Sequence, residues 1–517
     1  MTEEGDARTW LRANGYSDIA DTIDRIVRGW RERGVQTRRN WWDILAGTAS
    51  GEPRKVEGTL FPILAAARRR KGWPVVEGEI GPREQLAPDP VPQARWTSHP
   101  SKQERKAVVA RKSGAPKSRT KRSAQGRTRS ERALDFVITK FAHLDEVVIP
   151  LRDLVVLVGP QGTGKSIALE LLKLVIDRHR IVRFLKQHGV VWETDAQFAG
   201  LYFGGGFEAS WHRDTRVQLG GESFSLMDLA RARARKGEDA VFYIPAHRTL
   251  AIADGWPRAF STYPVETPYV ARRFSEGLLT AINQGLIGKG KIFPHDRRLK
   301  DAFRQLIDEA VFHGGTLKLD TIGMRKQFVL EYGSTERKSR FPYMAWTAGQ
   351  REFTPLLLGL YHLLPAGGGP KKREIEWVII EEPEMGLHPK ATVAVMAVVL
   401  DLLARGYKVA LSTHSPTVLE VVWGMSKLKT AKDGPARLCR MMGLPDRHPP
   451  VLRSAGAALE RTHAVVHLQH DANGRVSSKN ISALNPGSAD EREWQWGGLI
   501  GFSDRVEKAV TGTDRRT

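Results

Sequence analysis

One cysteine, Cys439, stands among 517 residues, which excludes an intrachain disulfide framework and any cysteine-rich zinc module. Long hydrophobic runs are missing too: no stretch reaches the roughly 18 consecutive apolar residues that a membrane-spanning helix needs. The first residues, Met1 to Arg8, bring acidic side chains rather than a basic and then apolar leader. These features predict no signal peptide, no membrane contact and a cytoplasmic location. No heptad pattern is sustained, so long coiled-coil arms are not expected, and no internal repeat is visible. What remains is a chain of ordinary apolar content, 41%, long enough to bury the cores of two to four domains.

Charge is the composition's departure from the ordinary, with a formal net charge of +22. Much of the excess lies between Arg95 and Arg132, where 13 Lys or Arg face only Glu104 and Glu131. A solvated linker and a nucleic-acid-binding tail both fit such a run, and the two are compatible because disordered basic arms bind phosphate backbones.

The chain divides by composition. Residues 1–74 predict a small all-α domain: Ile19, Ile23, Ile26, Val27 and Trp30 share one helical stripe. A second helix holds Trp41 and Trp42, and a third runs from Leu60 into the basic cluster Arg68 to Lys71. Such a unit suits either nucleic acid or a protein partner. Residues 75–133 are rich in Pro, Ser and charge and predict a disordered basic linker. The globular body spans 134–437, with a lobe at about 193–350, and residues 438–517 extend it. Phe136 to Phe141 and Val147 to Ile149 alternate like edge strands. The extension predicts a strand at Ala464 to Leu468, a turn at Asp471 to Gly474, a solvated loop at Asp490 to Glu493 and a last helix around Phe502 to Val510.

Chemistry begins at Gly159-Pro-Gln161-Gly162-Thr163-Gly164-Lys165-Ser166, a full match to G-x-x-x-x-G-K-[ST]. It follows the apolar run Leu154 to Val158 and opens the helical stretch from Ser166 to Val175, the context this motif requires. Glycines let backbone N–H groups turn inward around phosphates, and the helix N-terminus adds partial positive charge. Lys165 then reaches the terminal phosphates, and the Ser166 hydroxyl ligates Mg2+. A second apolar run, Trp377 to Ile380, ends in Glu381-Glu382, and Pro383 to Pro389 follows it. One carboxylate of the pair suits the magnesium shell and the other a water-activating base. Thr347-Ala-Gly349-Gln350 opens an apolar helix, and a third strand from Val409 ends in Ser-Thr-His414-Ser-Pro. His362 and His388 have no metal-ligand spacing and are read as structural, while Glu384 is a secondary candidate for the site.

This ordered set resembles the ABC-type ATPases of the SMC, RecF and OLD (overcoming-lysogenization-defect) lineage, and especially their prokaryotic AAA-domain relatives of mobile and anti-phage loci. The resemblance covers about residues 134–425. It implies an α/β fold: an ABC-type P-loop ATPase head with a helical signature lobe. By position, Gly159 to Ser166 resembles Walker A. Thr347 to Gln350 resembles the signature S-G-G-Q, with Thr for Ser and Ala348 for the first Gly. Glu381-Glu382 resembles Walker B, Glu381 standing where an Asp is commoner and Glu382 as catalytic base. Met385 to His388 lies at the D-loop, and His414 resembles the switch histidine that senses the γ-phosphate. Phe242 to Arg248 resembles a Tyr-Ile-Pro-Ala-x-Arg segment of these relatives. Gln197 and Gln218 are candidates for the Q-loop glutamine.

What the resemblance implies is an Mg-dependent ATPase whose two sites are completed head to tail in a homodimer. For biological use, the first reading is a nucleotide-driven switch in nucleic-acid-linked work such as anti-phage defence or DNA repair, with DNA or RNA bound by the basic arm. The alternative is an ATP-dependent scaffold or sensor that sequesters a separate effector protein. A transporter motor fits least, and the C-terminal part leaves no room for the metal-dependent nuclease domain of OLD relatives.

Overall fold

The computed structural model describes residues 134–511 apart from 260–266, 288–289, 296, 323, 334–336 and 366–368. The helical unit expected over 1–74 and the linker expected over 75–133 lie outside the described residues.

β1 (Leu134–Phe141) and β2 (Leu144–Leu151) pair antiparallel from Leu134↔Leu151 to Phe141↔Leu144. β3 (Leu154–Val158) is buried at every position, as a continuous apolar run covered on both faces should be. A glycine-rich loop then enters α1 (Lys165–Gln187). Next come α2 (Asp195–Phe203), β4 (Trp211–Leu219), β5 (Glu222–Phe224), α3 (Leu226–Ala230) and β6 (Val241–Ile244). β4 pairs with β1, and β5 with β4. β1 and β2 are therefore interior strands, not the edges their alternation suggested, because β4 covers β1 and the strand Val476–Asn480, near the end of the chain, covers β2.

After a 3-10 turn at Arg248–Ala251, two short strands pair, β7 (Ile252–Ala253) with β8 (Trp256–Pro257). They lead to α4 (Tyr269–Asn283), β9 (Lys291–Phe293) and α5 (Asp301–Ile307). β10 (Thr316–Ile322), β11 (Arg325–Gly333), β12 (Lys338–Pro342) and α6 (Ala348–Leu363) complete this stretch. β12, β11, β10 and β9 form a separate four-stranded antiparallel sheet. The segment expected as a helical lobe thus contains a sheet of its own, and it also lends β4, β5 and β6 to the large one. The cause is visible in Thr316-Leu-Lys-Leu-Asp-Thr-Ile322, whose alternation has the period of a strand.

The rest of the chain runs β13 (Trp377–Glu381), α7 (Pro389–Ala404), β14 (Lys408–Ser412), α8 (Pro416–Leu428), α9 (Gly434–Met441) and α10 (Pro449–Leu459). It ends in β15 (His463–His470), β16 (Val476–Asn480), α11 (Glu491–Trp494) and α12 (Gly501–Thr511). The large sheet has ten strands in the order β5-β4-β1-β2-β16-β15-β3-β14-β13-β6. From β15 to β6 its strands are parallel. Alternate side chains of β3 feed two cores. Leu154, Val156 and Val158 pack with α6, α7 and α8, while Val155 and Leu157 pack with α1 and α2. α7 is apolar almost all round and correspondingly buried.

β15 contains the expected strand, but with β16 it is inserted between β2 and β3 rather than added at an edge. Asp471 accepts N–H groups from Asn473 and Arg475 and closes the expected turn. The Asp490 to Glu493 stretch is a capped helical turn rather than a solvated loop: Asp490 accepts the Arg492 N–H and pairs with Lys479 and Arg492.

Candidate active site

Parallel strands place their C-terminal ends together, and β3, β13 and β14 all end at this site. β3 delivers the glycine-rich loop. Gly159, Gly162 and Gly164 all have positive φ (143°, 76° and 77°), which only glycine adopts freely. Gly159 has a second reason: a Cβ there would lie 2.2 Å from the Leu468 carbonyl oxygen of β15. Thr163 is buried, and its hydroxyl donates to the Pro160 carbonyl at 2.8 Å, pinning the loop. Gln161 and Ser166 are exposed. Lys165 is 6% exposed, and its ammonium donates to the Gly159 and Pro160 carbonyls, both at 2.9 Å. Two of its three N–H bonds are thereby used and one is left over the loop. Burial lowers the Lys165 pKa, and the carboxylates of Glu382 and Glu384 offset part of that. No acidic residue sits in the first turn of α1, so its N-terminus is open to an anion.

β13 delivers the acidic pair in two different settings. Glu381 is 4% exposed; its Oε2 accepts the Ala246 N–H at 3.0 Å, while Oε1 is buried with no partner at full hydrogen-bond geometry among the described residues. Burial raises its pKa, and Ser166, Ala246 and Tyr243 offset part of the rise. Glu382 is half-buried and has φ of 40°. That left-handed backbone costs a non-glycine residue about 1–2 kcal/mol and turns the carboxylate away from its neighbour's direction. Its Oε1 lies 3.7 Å from His414 Nε2. Burial and the nearby Lys165 charge lower the His414 pKa, with Glu382 opposing them, so the imidazole is neutral at neutral pH. Glu384 braces the end of β14: its Oε1 accepts the Thr413 hydroxyl at 2.8 Å and the His414 N–H at 2.6 Å.

The residues expected as the signature stand elsewhere. Thr347 caps α6 with a reciprocal capping box to Gln350. Gln350 is 8% exposed and its amide also donates to the Tyr332 hydroxyl at 2.9 Å, so this side chain is turned inward. Thr347 and Ala348 are exposed, and Gly349 lies against the D-loop: a Cβ on it would be 3.1 Å from the Gly386 carbonyl oxygen. Among the described residues no hydrogen bond joins Thr347, Gly349 or Gln350 to the phosphate loop of the same chain. The chain therefore brings together Lys165, Ser166, Glu381, Glu382 and His414, and leaves the expected signature residues on a self-capped helix start with no hydrogen bond to them among the described residues. Met344, 68% exposed, and Phe341, 40% exposed, flank that N-terminus.

Several further residues bear on the site. Gln197 closes the capping box of α2 and Gln218 bonds Ser223 on the edge hairpin, so both Q-loop candidates have local structural roles. His388 caps α7, and His362 stacks on Phe242 at 4.9 Å with its pKa pushed down to about 4 by burial. Arg248, the last residue of the Phe242 to Arg248 segment, is fully buried beneath the acidic pair. Its partners could not be inferred from sequence, since they are backbone carbonyls. His143, between β1 and β2, was also missed. A Cβ on Gly164 would lie 2.9 Å from its Nε2, and it borders a cavity of about 300 Å³ with Lys140, His212, Asp214 and Arg475.

The family described as "AAA domain, putative AbiEii toxin, Type IV TA system" matches residues 154–420, more than half of the chain. The chain belongs to that family. The match runs from the phosphate-loop strand to the start of α8, and so takes in both halves of the geometry above. The ten-stranded mixed α/β sheet is the frame on which this AAA-domain chain carries its phosphate loop. No match was found among curated proteins. Similar solved structures include an SMC head bound to the C-terminal winged-helix domain of ScpA, 12% identical, with 67% of this chain and 97% of that one covered and a TM-score of 0.32. The SMC head domain from Thermotoga maritima is 12% identical over 68% and 98% of the two chains, with a TM-score of 0.29. A third is an SMC head with an extended coiled coil, bound to the C-terminal domain of ScpA derived from Pyrococcus furiosus. It is 10% identical over 67% and 96%, with a TM-score of 0.29. Among the described residues no helix is long and apolar enough to cross a membrane.

Proposed function

We propose that this protein binds and hydrolyses Mg-ATP at two sites shared between two copies of the chain, and that the resulting dimer is the switch through which it acts. One observation carries the reading. Lys165, Glu381, Glu382 and His414 converge at the ends of three adjacent strands, while among the described residues Thr347 and the N-terminus of α6 make no hydrogen bond to the phosphate loop of their own chain. A site with every part except a cap for the γ-phosphate, and a cap with no site, fit each other on a second copy.

Within that site the loop N–H groups and Lys165 hold the phosphates. The unpartnered Oε1 of Glu381 and the exposed Ser166 hydroxyl fit an oxygen-seeking cation, and among the described residues no cluster of three His, Cys, Asp or Glu offers a rival site. When bound, Mg2+ neutralises the charge of the phosphate oxygens. Glu382 takes a proton from the water that attacks the γ-phosphorus, the bond from that phosphorus to the β–γ bridging oxygen breaks, and ADP and inorganic phosphate leave. His414, neutral beside Glu382, donates its N–H to the transferring group. From the second copy, the Thr347 hydroxyl and the N–H groups of α6 cap the γ-phosphate, and exposed Met344 and Phe341 give that face apolar surface to bury.

Glu382→Gln keeps the shape of the side chain and removes the base. Turnover should fall at least about 100-fold, Mg-ATP should stay bound, and an ATP-dependent dimer should accumulate in light scattering. A variant that no longer binds Mg-ATP would instead make Glu382 a structural residue.

The biological setting we favour is a nucleic-acid-linked one, anti-phage defence or repair, with the basic run from Arg95 to Arg132 as the DNA or RNA contact. A mainly electrostatic contact releases counterions, with a log–log salt slope of about −0.9 per duplex phosphate contacted. Removing residues 1–132 should weaken binding and flatten that slope while leaving basal ATP hydrolysis in place. Equal slopes for both forms would favour the scaffold reading, in which ATP-driven dimerisation holds or releases a separate effector protein.

A further inference from the structure

Arg248 is fully buried, and its guanidinium is spent on the backbone of three segments. Nε donates to the Glu352 carbonyl on α6 at 3.1 Å. One terminal nitrogen donates to the carbonyls of Glu381 and Glu382, both at 3.2 Å, and the other to the Met385 carbonyl at 3.4 Å. The Glu352 carboxylate stands 3.7 Å from Nε, and Thr249 donates to the same carboxylate at 3.4 Å. The helix that carries the signature, the end of β13 that carries the acidic pair, and the D-loop are thus tied by one planar, rigid group. Direct packing reinforces the tie, since Gly349 and Glu352 of α6 both lie against Gly386. The tie also holds both carbonyls around the strained backbone of Glu382.

Resting on the Mg-ATP dimer proposed above, we infer that Arg248 is a positioning residue that couples the two ATP sites: within one chain it joins the helix serving the partner's site to the carboxylates serving its own. A shift of α6 as its N-terminus takes up the partner's γ-phosphate pulls on the carbonyls of Glu381 and Glu382 and so re-aims the base. Hydrolysis at the two sites is then cooperative. Lysine cannot substitute, because a single ammonium on a flexible stem cannot bond carbonyls on three segments at fixed angles.

The test compares wild type with Arg248→Lys in the full-length chain, reading turnover against ATP concentration, Mg-ATP affinity with a fluorescent ATP analogue, and melting temperature. The expected result is a Hill coefficient falling from near the two-site limit of about 2 toward about 1, with kcat at least about tenfold lower and affinity unchanged within error. Glu352→Gln, which keeps the backbone contact but loosens the anchor on α6, should lower the Hill coefficient at an unchanged melting temperature. It decides the matter if Arg248→Lys does not fold. Hill coefficients in folded variants equal to that of wild type, or equal fractional losses of affinity, kcat and melting temperature with cooperativity intact, would overturn the inference. A wild type that hydrolyses ATP with a Hill coefficient of 1 would sink the coupling alone; one that neither binds nor hydrolyses ATP would sink the underlying reading.

Discussion

The phosphate loop and the N-terminus of α6 are both helix starts with no acidic residue in the first turn, yet the molecule treats them differently. The first is held from all sides: Gly159 lies against β15, Gly164 against His143 and Leu144, and Lys165 is strapped to its own loop. The second is capped by its own Thr347 and Gln350, carries exposed Met344 and Phe341 beside it, and meets the rest of the chain through the D-loop, Tyr332 and Arg248. Two anion-ready helix ends, one enclosed and one open, divide the labour. In the dimer proposed above, the enclosed end holds the phosphates and the open end serves the partner's site.

The sharpest way to break that contrast is to disable each end in a different chain. Lys165→Ala removes the ammonium from the enclosed end. Gly349→Asp crowds the Gly386 carbonyl and puts a negative charge in the first turn of α6, where it takes the positive end of the dipole that would receive a phosphate. Each variant alone should lose at least about 99% of ATP turnover. Mixed, they form heterodimers with one doubly damaged site and one intact site, so a fraction of activity should return. No recovery in heterodimers verified by pull-down would mean that the open end serves its own chain.

A smaller effect sharpens the enclosed side. His467 pairs with Val158 in the register of β15 and β3, and Gly497 packs on its ring. Burial first, then the charges of Arg492, Lys165 and Lys479, push its pKa down from 6.5 to about 4. Above the unfolded value both states are neutral. As pH falls from about 6.5 toward about 4, the unfolded chain takes up a proton that the folded one refuses, and stability is lost. His467→Gln removes that share of the slope, so the drop in melting temperature between pH 7 and pH 5 should shrink by roughly 1–3 °C. An unchanged drop would mean the ring titrates normally in the fold.

The legible part of this protein was whatever is local. Gly159 to Ser166, Glu381-Glu382 and Ser412 to Ser415 are each a few consecutive residues with a strand before them, and each stands where a strand-ending motif should. The unreadable part was pairing between distant segments. Nothing in Leu154 to Val158 announces His463 to His470 as its neighbour, and nothing in Phe136 to Phe141 announces the hairpin that makes it interior. Arg248 belongs to a segment that attracted notice, but its partners are carbonyls, which leave no trace in side-chain identity. Gln350 shows the reverse limit: the resemblance puts it in the signature, while its side chain is spent on the Thr347 cap and on Tyr332.

The insertion of β15 and β16 between β2 and β3 also sets an order of events during synthesis. Until residues 463–480 emerge, β3 has β14 on one side and an unpaired edge on the other, and Gly159 has no carbonyl of Leu468 to sit against. Non-local pairing of this kind is slow and leaves strand edges exposed meanwhile. A chain that ends short of β15 carries Lys165, Glu381, Glu382 and His414 but lacks both the strand that pairs with β3 and the Leu468 carbonyl against which Gly159 lies.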